Sequence, residues 1–556
     1  MASVFLLWRG NANAEAVHDD RAIVAGLLDL QGVGRAAAGS TDGQLLAQAG
    51  RGFTYEHQPV PKAEVKRVVQ MGYFLNLTHA QALIGVASGA FQKALGDNVV
   101  IDPYLFNLFD NLASRHRDGR LYPALATEWK LLNRTTWQFK LRRGVRFHNG
   151  DPLTAADVRF SLERAIDPNS KSLMAGAFTT IDKVETPDPY TVHFITKKPD
   201  PLLVARLAFF GGQILPKEYF ARVGADEFNA RPIGSGPVKF ISWVKDDRLI
   251  LEAYRDYWGG KIEADQVIFR PIPEPAPRIA ALLRGEIDIM TRLPPDHVDR
   301  VAKNPTTKVE GALYGGLYVL WVCSQKPPLD NIKVRQALSL AIDREAIVKE
   351  MWRGQGIVAN GPIPKGDNHF DENLPPLKYD PDKAKQLLRE ANYKGDEIVL
   401  ESGQGYLAND KDMSEALVAM WRAVGLNAKM EVLEFSVIAQ KMREKSFKGL
   451  RWGDPTSTVG DPDGMMWRQL MPGGLNAYWF RHPRFDELGD AARFSVDEKF
   501  RGHAYAEMTQ LMQEYLPMIP ILQPIDSYGL QMYVDWKPYS NQALEIRSFN
   551  LKFTRA

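Results

Sequence analysis

Three times along the chain an amphipathic helix stops at a glycine and passes into an apolar strand: "RIAALLRGEIDIM" from Arg278, "AKQLLREANYKGDEIVL" from Ala384 and "SEALVAMWRAVGLNAKMEVL" from Ser414. Leu, Ile and Ala recur at helical spacing, so each helix has one face that must be buried. The glycine (Gly285, Gly395, Gly425) supplies the backbone freedom that ends the helix. The strands that follow are apolar enough to need helices over them, which is the demand of a mixed sheet in an α/β fold. The three units differ too much from one another to be sequence repeats.

Before these units the signals change. In "WQFKLRRGVRFHNGDPLTAADVRFSLERA", Trp137 to Ala165, Trp137, Phe139 and Leu141 alternate with polar residues, and Val145 and Phe147 resume the alternation, which predicts two short half-buried strands. Asn149-Gly150-Asp151-Pro152 is turn chemistry, and Thr154 with Asp157 three residues on predicts a capped helix from about Thr154. His148 falls at a strand end, and its expected role is structural or solvated. The stretch is crowded with His, Asp and Arg, yet it reads as a wall and not as a catalytic segment. From Glu185 to Gly259 the signals are again strand and turn. After "HAYAEMTQLMQEYL", the apolar "IPILQP" predicts a late strand that returns to complete an earlier sheet, giving two lobes joined by more than one crossing.

Composition narrows the function. A chain of 556 residues can hold two to four domains. Sixty-nine basic against sixty-seven acidic residues leave +2, so no global field points to nucleic acid or an anionic membrane. The single cysteine, Cys323, rules out an internal disulfide or a thiolate cluster, and its neighbours "LYVLWV" predict inert burial. No run of about 18 apolar residues occurs; "LLVARLAFFGGQIL" is broken by Arg206. The N-terminal "MASVFLLW" is a poor signal peptide, although "ANAEA" is like a small-residue cleavage site. "GVGRAA" from Gly32 is a lone Gly-x-Gly-x-x-Ala without a strand before it. Paired-histidine metal motifs, a phosphate-binding loop and a Gly-x-Ser-x-Gly elbow are all missing, so no enzyme class is indicated and no cofactor or metal is expected. A noncontiguous hydrolase triad stays open at this level.

Six blocks, "LYPALATEWK", the Trp137–Ala165 stretch, "GSGPVKFISWVKDDRLILEAYRDYWGG", "RIAALLRGEIDI", "KPPLDNIKVRQALSLAIDREAIV" and "YDPDKAKQLLREANY", resemble in order and spacing the family 5 extracellular solute-binding proteins, the dipeptide and oligopeptide receptors of ABC importers. Upstream, "GYFLNLTHAQALIGVASGAFQKALGDNVVI" from Gly72 resembles the start of nitrate, sulfonate and taurine type binding proteins, a departure from the family that leaves "VIDP" at Val100 in place of its opening motif.

The resemblance implies a two-lobed, type II periplasmic-binding-protein-like α/β fold with a small extra β-rich domain. The expected parts are a weakly ordered segment 1–65, first-lobe pieces 66–115 and 207–313, the small domain 116–206, the second lobe 314–515 and a return 516–556. It implies a receptor that is not an enzyme, located in the periplasm as a monomer, that delivers peptides to ABC permease transmembrane subunits. Opine, sugar, nickel-chelate and haem binders share the fold, so the ligand is open at this stage. In "RWGDPTSTVGDPDGMM" the resemblance makes Asp454, after Arg451 and Trp452, the carboxylate that meets a ligand amine. Asp461 is its rival, and both aspartates are also ordinary turn residues. Tyr314 matches a cleft tyrosine at the lobe crossing, and Tyr478 and Trp479 are candidates for stacking on ligand or for core packing.

Overall fold

The computed structural model describes residues 68–73, 102–117, 119–167, 177–209, 211–244, 246–403, 407–456, 459–474 and 476–554. The expectations for segment 1–65, for "ANAEA" and "GVGRAA", and for all but the first two residues of the Gly72–Ile101 stretch lie outside them.

Ten strands form one hydrogen-bonded path, in the order Ala428–Leu433, Ile398–Gly403, Leu450–Gly453, Tyr318–Val322, Met518–Gln531, Ile289–Met290, Val68–Tyr73, Gln266–Pro271, Arg248–Ala253, Val238–Val244. The path has a parallel cluster towards each end. Val68–Tyr73 runs parallel to Gln266–Pro271 and Ile289–Met290, and Ile398–Gly403 runs parallel to Ala428–Leu433 and Leu450–Gly453. Between them the fourteen-residue strand Met518–Gln531 is shared. Its first part pairs antiparallel with Tyr318–Val322 and Gly356–Val358, and its second part with Thr307–Leu313 and Ile289–Met290.

Two cores flank that shared strand. One gathers Val319, Leu320, Trp421, Trp452, Met466 and Ile519, the other Val69, Met71, Phe109, Leu251, Phe269 and Trp536. The chain is therefore two lobes, and it crosses between them at Leu313–Tyr318 and again along the shared strand. The expected late strand is this second crossing. Its two prolines cost ladder donors, and their carbonyls are put to use: Pro520 O accepts from buried Arg344 Nε at 2.8 Å and Pro524 O from Tyr314 N at 2.9 Å.

The Trp137–Ala165 stretch is a wall. Thr136–Leu141 lies in a separate four-stranded antiparallel sheet, between Ala126–Asn133 and Thr191–Thr196, with Ile181–Asp188 outermost. Helix Ala155–Ile166 begins where expected: Thr154 caps it, and Asp157 Oδ2 accepts the Thr154 backbone N–H at 2.8 Å. His148 accepts from Gly234 N at 3.2 Å and meets Gly236 O at 3.0 Å, and burial lowers its pKa to about 4. It is a structural imidazole.

Three local expectations are corrected. Val145–Phe147 makes only an isolated bridge, Arg146 to Pro152, because Gly144 turns the chain at φ 78° and Leu153 N bonds back to Val145 O. Helix Pro381–Glu390 ends before Gly395, with Asn392 taking the left-handed conformation at φ 53°. The region 185–259 is not purely β: helices Leu203–Leu207 and Lys217–Ala230 interrupt it, the latter kinked at Gly224, whose φ of 78° masks the helical period in the sequence.

Candidate functional site at the lobe crossing

In sheets of this kind ligands bind beyond the carboxyl ends of parallel strands. Here those ends, one set from each lobe, come together at the crossing. In the second lobe, strand Leu450–Gly453 ends one residue before Asp454. Gly453 is required there, because a Cβ would collide with the Trp321 indole, and the backbone then bridges Thr456 to Gly316 beside the crossing. Tyr314, on the crossing itself, is 2% exposed and its hydroxyl lies 2.6 Å from Thr456 Oγ1. Burial raises its pKa well above the usual phenol value, and the Asp454 charge pushes in the same direction. Thr456 Oγ1 also donates to Asp454 O at 3.1 Å, so Asp454 and Tyr314 are neighbours at the crossing.

In the first lobe, strand Ile289–Met290 ends two residues before Arg292, which holds a left-handed backbone at φ 51°. Such a conformation costs a non-glycine residue about 1 kcal/mol or more and persists only when its surroundings enforce it. The enforcing group is Arg278, 1% exposed. Its guanidinium donates to the carbonyls of Ile272 at 2.6 Å, Pro273 at 3.0 Å, Thr291 at 3.2 Å and Arg292 at 3.3 Å. Arg292 Nη2 then donates to Gln542 Oε1 at 3.4 Å. Gln542 is itself left-handed at φ 61°, and its Nε2 donates to Asp526 Oδ2 at 2.6 Å. Burial raises the pKa of Asp526, opposed by Arg292 and Gln542 and reinforced by the nearby Asp454 charge.

A cavity of about 640 Å³ opens between the lobes beside this crossing. It is lined by His116 and Arg117 of the first lobe, Gly311–Leu313 and Gly315 of the crossing, Lys537–Pro538 and Ser540 of the C-terminal part, and Lys365–Asp367 of the second lobe. Its size is that of a small-molecule site. Ala312 is the strand partner of Asp526, so the two side chains stand on the same face of the sheet. The lobes also touch away from the crossing: Arg115 donates to Val459 O, Leu202 and Ala205 pack on Val459, and Lys198 lies over the Phe494 ring at 4.5 Å.

The other residues suggested by sequence fall elsewhere. Trp452 is buried in the second-lobe core and donates to Ser414 Oγ at 2.7 Å. Trp479 is fully buried, with Arg451 stacked on it at 5.1 Å and Tyr478 against its edge; Arg451 also donates to Asn476 Oδ1 at 2.8 Å. Asp461 is 1% exposed and accepts from the buried Arg501 at 2.5 Å. The geometry gives these side chains packing and support roles. Cys323 is buried, and burial raises its thiol pKa.

Sequence reasoning missed Arg292, Gln542 and Asp526. A signal existed for one of them: Asp526 is the only charged residue in an otherwise apolar and neutral strand, a local inconsistency of the kind that marks functional positions.

Comparison with known proteins agrees with this architecture. Residues 120–476 match the model of the bacterial extracellular solute-binding proteins, family 5. The dipeptide-binding protein of Escherichia coli is 30% identical over 431 residues, covering 72% of this chain and 80% of that protein. Heme-binding protein A of Haemophilus influenzae is 28% identical over 434 residues, covering 72% and 79%. Among solved structures, an ABC transporter-associated periplasmic binding protein from Helicobacter pylori, in complex with a peptide, is 24% identical and superposes with a TM-score of 0.72 over 88% of this chain and 99% of that one. Among the described residues no helix is long and apolar enough to cross a membrane. With two lobes, two crossings, an inter-lobe cavity and a family match over most of its length, the chain belongs to the family 5 extracellular solute-binding proteins.

Proposed function

We propose that this chain is the periplasmic receptor of an ABC importer, capturing short peptides between its lobes and handing them unaltered, as a monomer, to the transmembrane subunits of a permease. The observation that carries the reading is Asp454: a carboxylate at the carboxyl end of a second-lobe strand, beside the buried Tyr314 and the crossing, where a ligand ammonium can be met from both lobes. Binding of this kind draws on the ligand's preference for the closed state and breaks no bond. Relatives named as dipeptide- or di/tripeptide-binding recur beside the heme-binding one, which favours peptide over haem as the solute.

The test is titration calorimetry of protein stripped of co-purified ligand by unfolding and refolding. Dipeptides with a free amine should bind, N-acetylated ones should not, and the peptide should be recovered intact by mass spectrometry. Asp454→Asn should weaken affinity by about 30-fold or more, the loss expected when a charge-assisted contact worth about 2 kcal/mol is removed. Equal binding of acetylated peptides, or new peptide termini after incubation, would overturn the reading. Haem uptake with no peptide binding would replace it.

A further inference from the structure

The second lobe is gripped at a point remote from both lobe cores. Val459 is 4% exposed, yet among the described residues it joins neither core; it packs with Leu202, Ala205 and Leu121, all on the side of the small β-rich domain. Leu202 and Ala205 stand three residues apart on helix Leu203–Leu207 and its N-cap, while Leu203, Val204 and Leu207 fill the small-domain core. One face of this short helix builds its own domain and the other covers Val459. Separating the lobes would return that apolar seam to water, so the seam favours the closed form.

Arg115 fastens the same loop by polar bonds. Its Nη1 donates to Gly119 O, in its own hairpin, at 2.6 Å, and its Nη2 donates to Val459 O across the lobes. Burial lowers the Arg115 pKa, opposed by the charges of Asp367 and Asp461 on the second lobe. Gly460 has no Cβ to obstruct the guanidinium, and its carbonyl accepts from Asn368 N at 3.0 Å. Lys198 over the Phe494 ring adds a third point of contact. Val459 follows Asp454 by five residues, and Thr456 between them bridges to Gly316. The loop that carries the candidate ligand anchor is therefore the loop that the small domain grips. Arg115, Leu202, Ala205 and Val459 themselves do not line the inter-lobe cavity.

We propose, resting on the reading that a solute is held between the lobes, that the small domain is a latch: the Arg115 clasp and the Val459 seam draw the second lobe into its closed place whatever the solute is. Closing then has a solute-independent part, and every solute bound in the closed form gains affinity by the same factor.

The experiment uses Val459→Cys as a reporter of opening, since the one native cysteine, Cys323, is buried. Labelling of this variant by dithionitrobenzoate, without solute, should be slower than in denaturant, and adding Arg115→Met should speed it by about tenfold or more. Calorimetry of Arg115→Met alone with Ala-Ala, Ala-Phe and Phe-Ala should show all three weakened by one common factor of about tenfold. Leu202→Ser, on the seam and away from the cavity hairpin, should act in the same way and is read alone should Arg115→Met fail to fold, with melts confirming each protein. Labelling unaffected by both substitutions, or a loss of affinity confined to one peptide, would overturn the latch and leave peptide capture standing. Peptides that fail to bind the wild type would remove the receptor reading, and the labelling ratio would still decide the latch.

Discussion

Asp461→Ala tests the ranking of Asp454 over its rival Asp461. Asp461 Oδ2 accepts from Arg501 Nη2 at 2.5 Å, its Oδ1 accepts the Asp463 backbone N–H at 3.1 Å, and both members of the ion pair are essentially sealed from water. Removing the carboxylate leaves a guanidinium buried among Tyr505 and the Ala492 carbonyl, with only the solvent-exposed Glu498 at 3.5 Å as counter-charge. Breaking a buried pair from one side costs about 3–5 kcal/mol. A unit of about 200 residues loses roughly 2–4 °C of Tm per kcal/mol, so the second-lobe transition should fall by roughly 6–20 °C. The assay is differential scanning calorimetry beside ligand titration at a temperature well below the lowered transition, where peptide affinity should stay within about twofold of wild type. The double variant Asp461→Leu with Arg501→Met should recover much of the lost Tm, since an apolar replacement removes the stranded charge too. A wild-type Tm accompanied by lost affinity would refute the argument and make Asp461 the ligand anchor.

Gly460 holds φ 67°, and a Cβ there would collide with the Arg115 guanidinium that reaches across to Val459 O, so Gly460→Ala should hold the lobes apart. Small-angle scattering should show a larger radius of gyration at saturating peptide, with affinity at least tenfold weaker, and an unchanged radius would count against an inter-lobe contact there. His148, with a pKa lowered from 6.5 to about 4 by burial, is held neutral in the fold. The unfolded chain takes up that proton first, so stability should decline as pH falls from about 6.5 towards 4, by about 3 kcal/mol at most, and His148→Gln should flatten that part of the profile in acid melts. Cys323 should resist a thiol reagent such as dithionitrobenzoate at neutral pH until denaturant is added, because burial both screens it and raises its pKa. Rapid labelling of the native protein would contradict the packing described.

Much of the fold was legible because its signals are local. The helix-to-strand units around Gly285 and Gly425, the Thr154–Asp157 capping box and the alternation of Trp137, Phe139 and Leu141 all act within a few residues, and they survive in the structure as read. The misses have equally local causes. Asn392 stopped a helix that a later glycine seemed to stop, and a kink at Gly224 hid the helical period of Lys217–Ala230. The candidate site was legible in one part only. Asp454 and Tyr314 are 140 residues apart yet carried recognisable neighbours, whereas the chain from Arg278 through Arg292 and Gln542 to Asp526 joins elements separated by up to about 250 positions. No periodicity encodes such a relay; only the paired register of the shared strand creates it.

That register also bears on how closing can depend on the solute. Asp526 is tied to the first lobe through its pairing with Ala312 and its bond to Gln542, while Asp454 follows strand Leu450–Gly453 of the second lobe. The pivot lies between them, along the shared strand near Leu522–Ile525, where its partners change from the second lobe to the first. Closing therefore carries Asp454 with the second lobe towards the first-lobe elements that hold Asp526, Gln542 and Arg292 among them. A ligand that touches both sides of the pivot favours the closed state by no more than its own preference for that state.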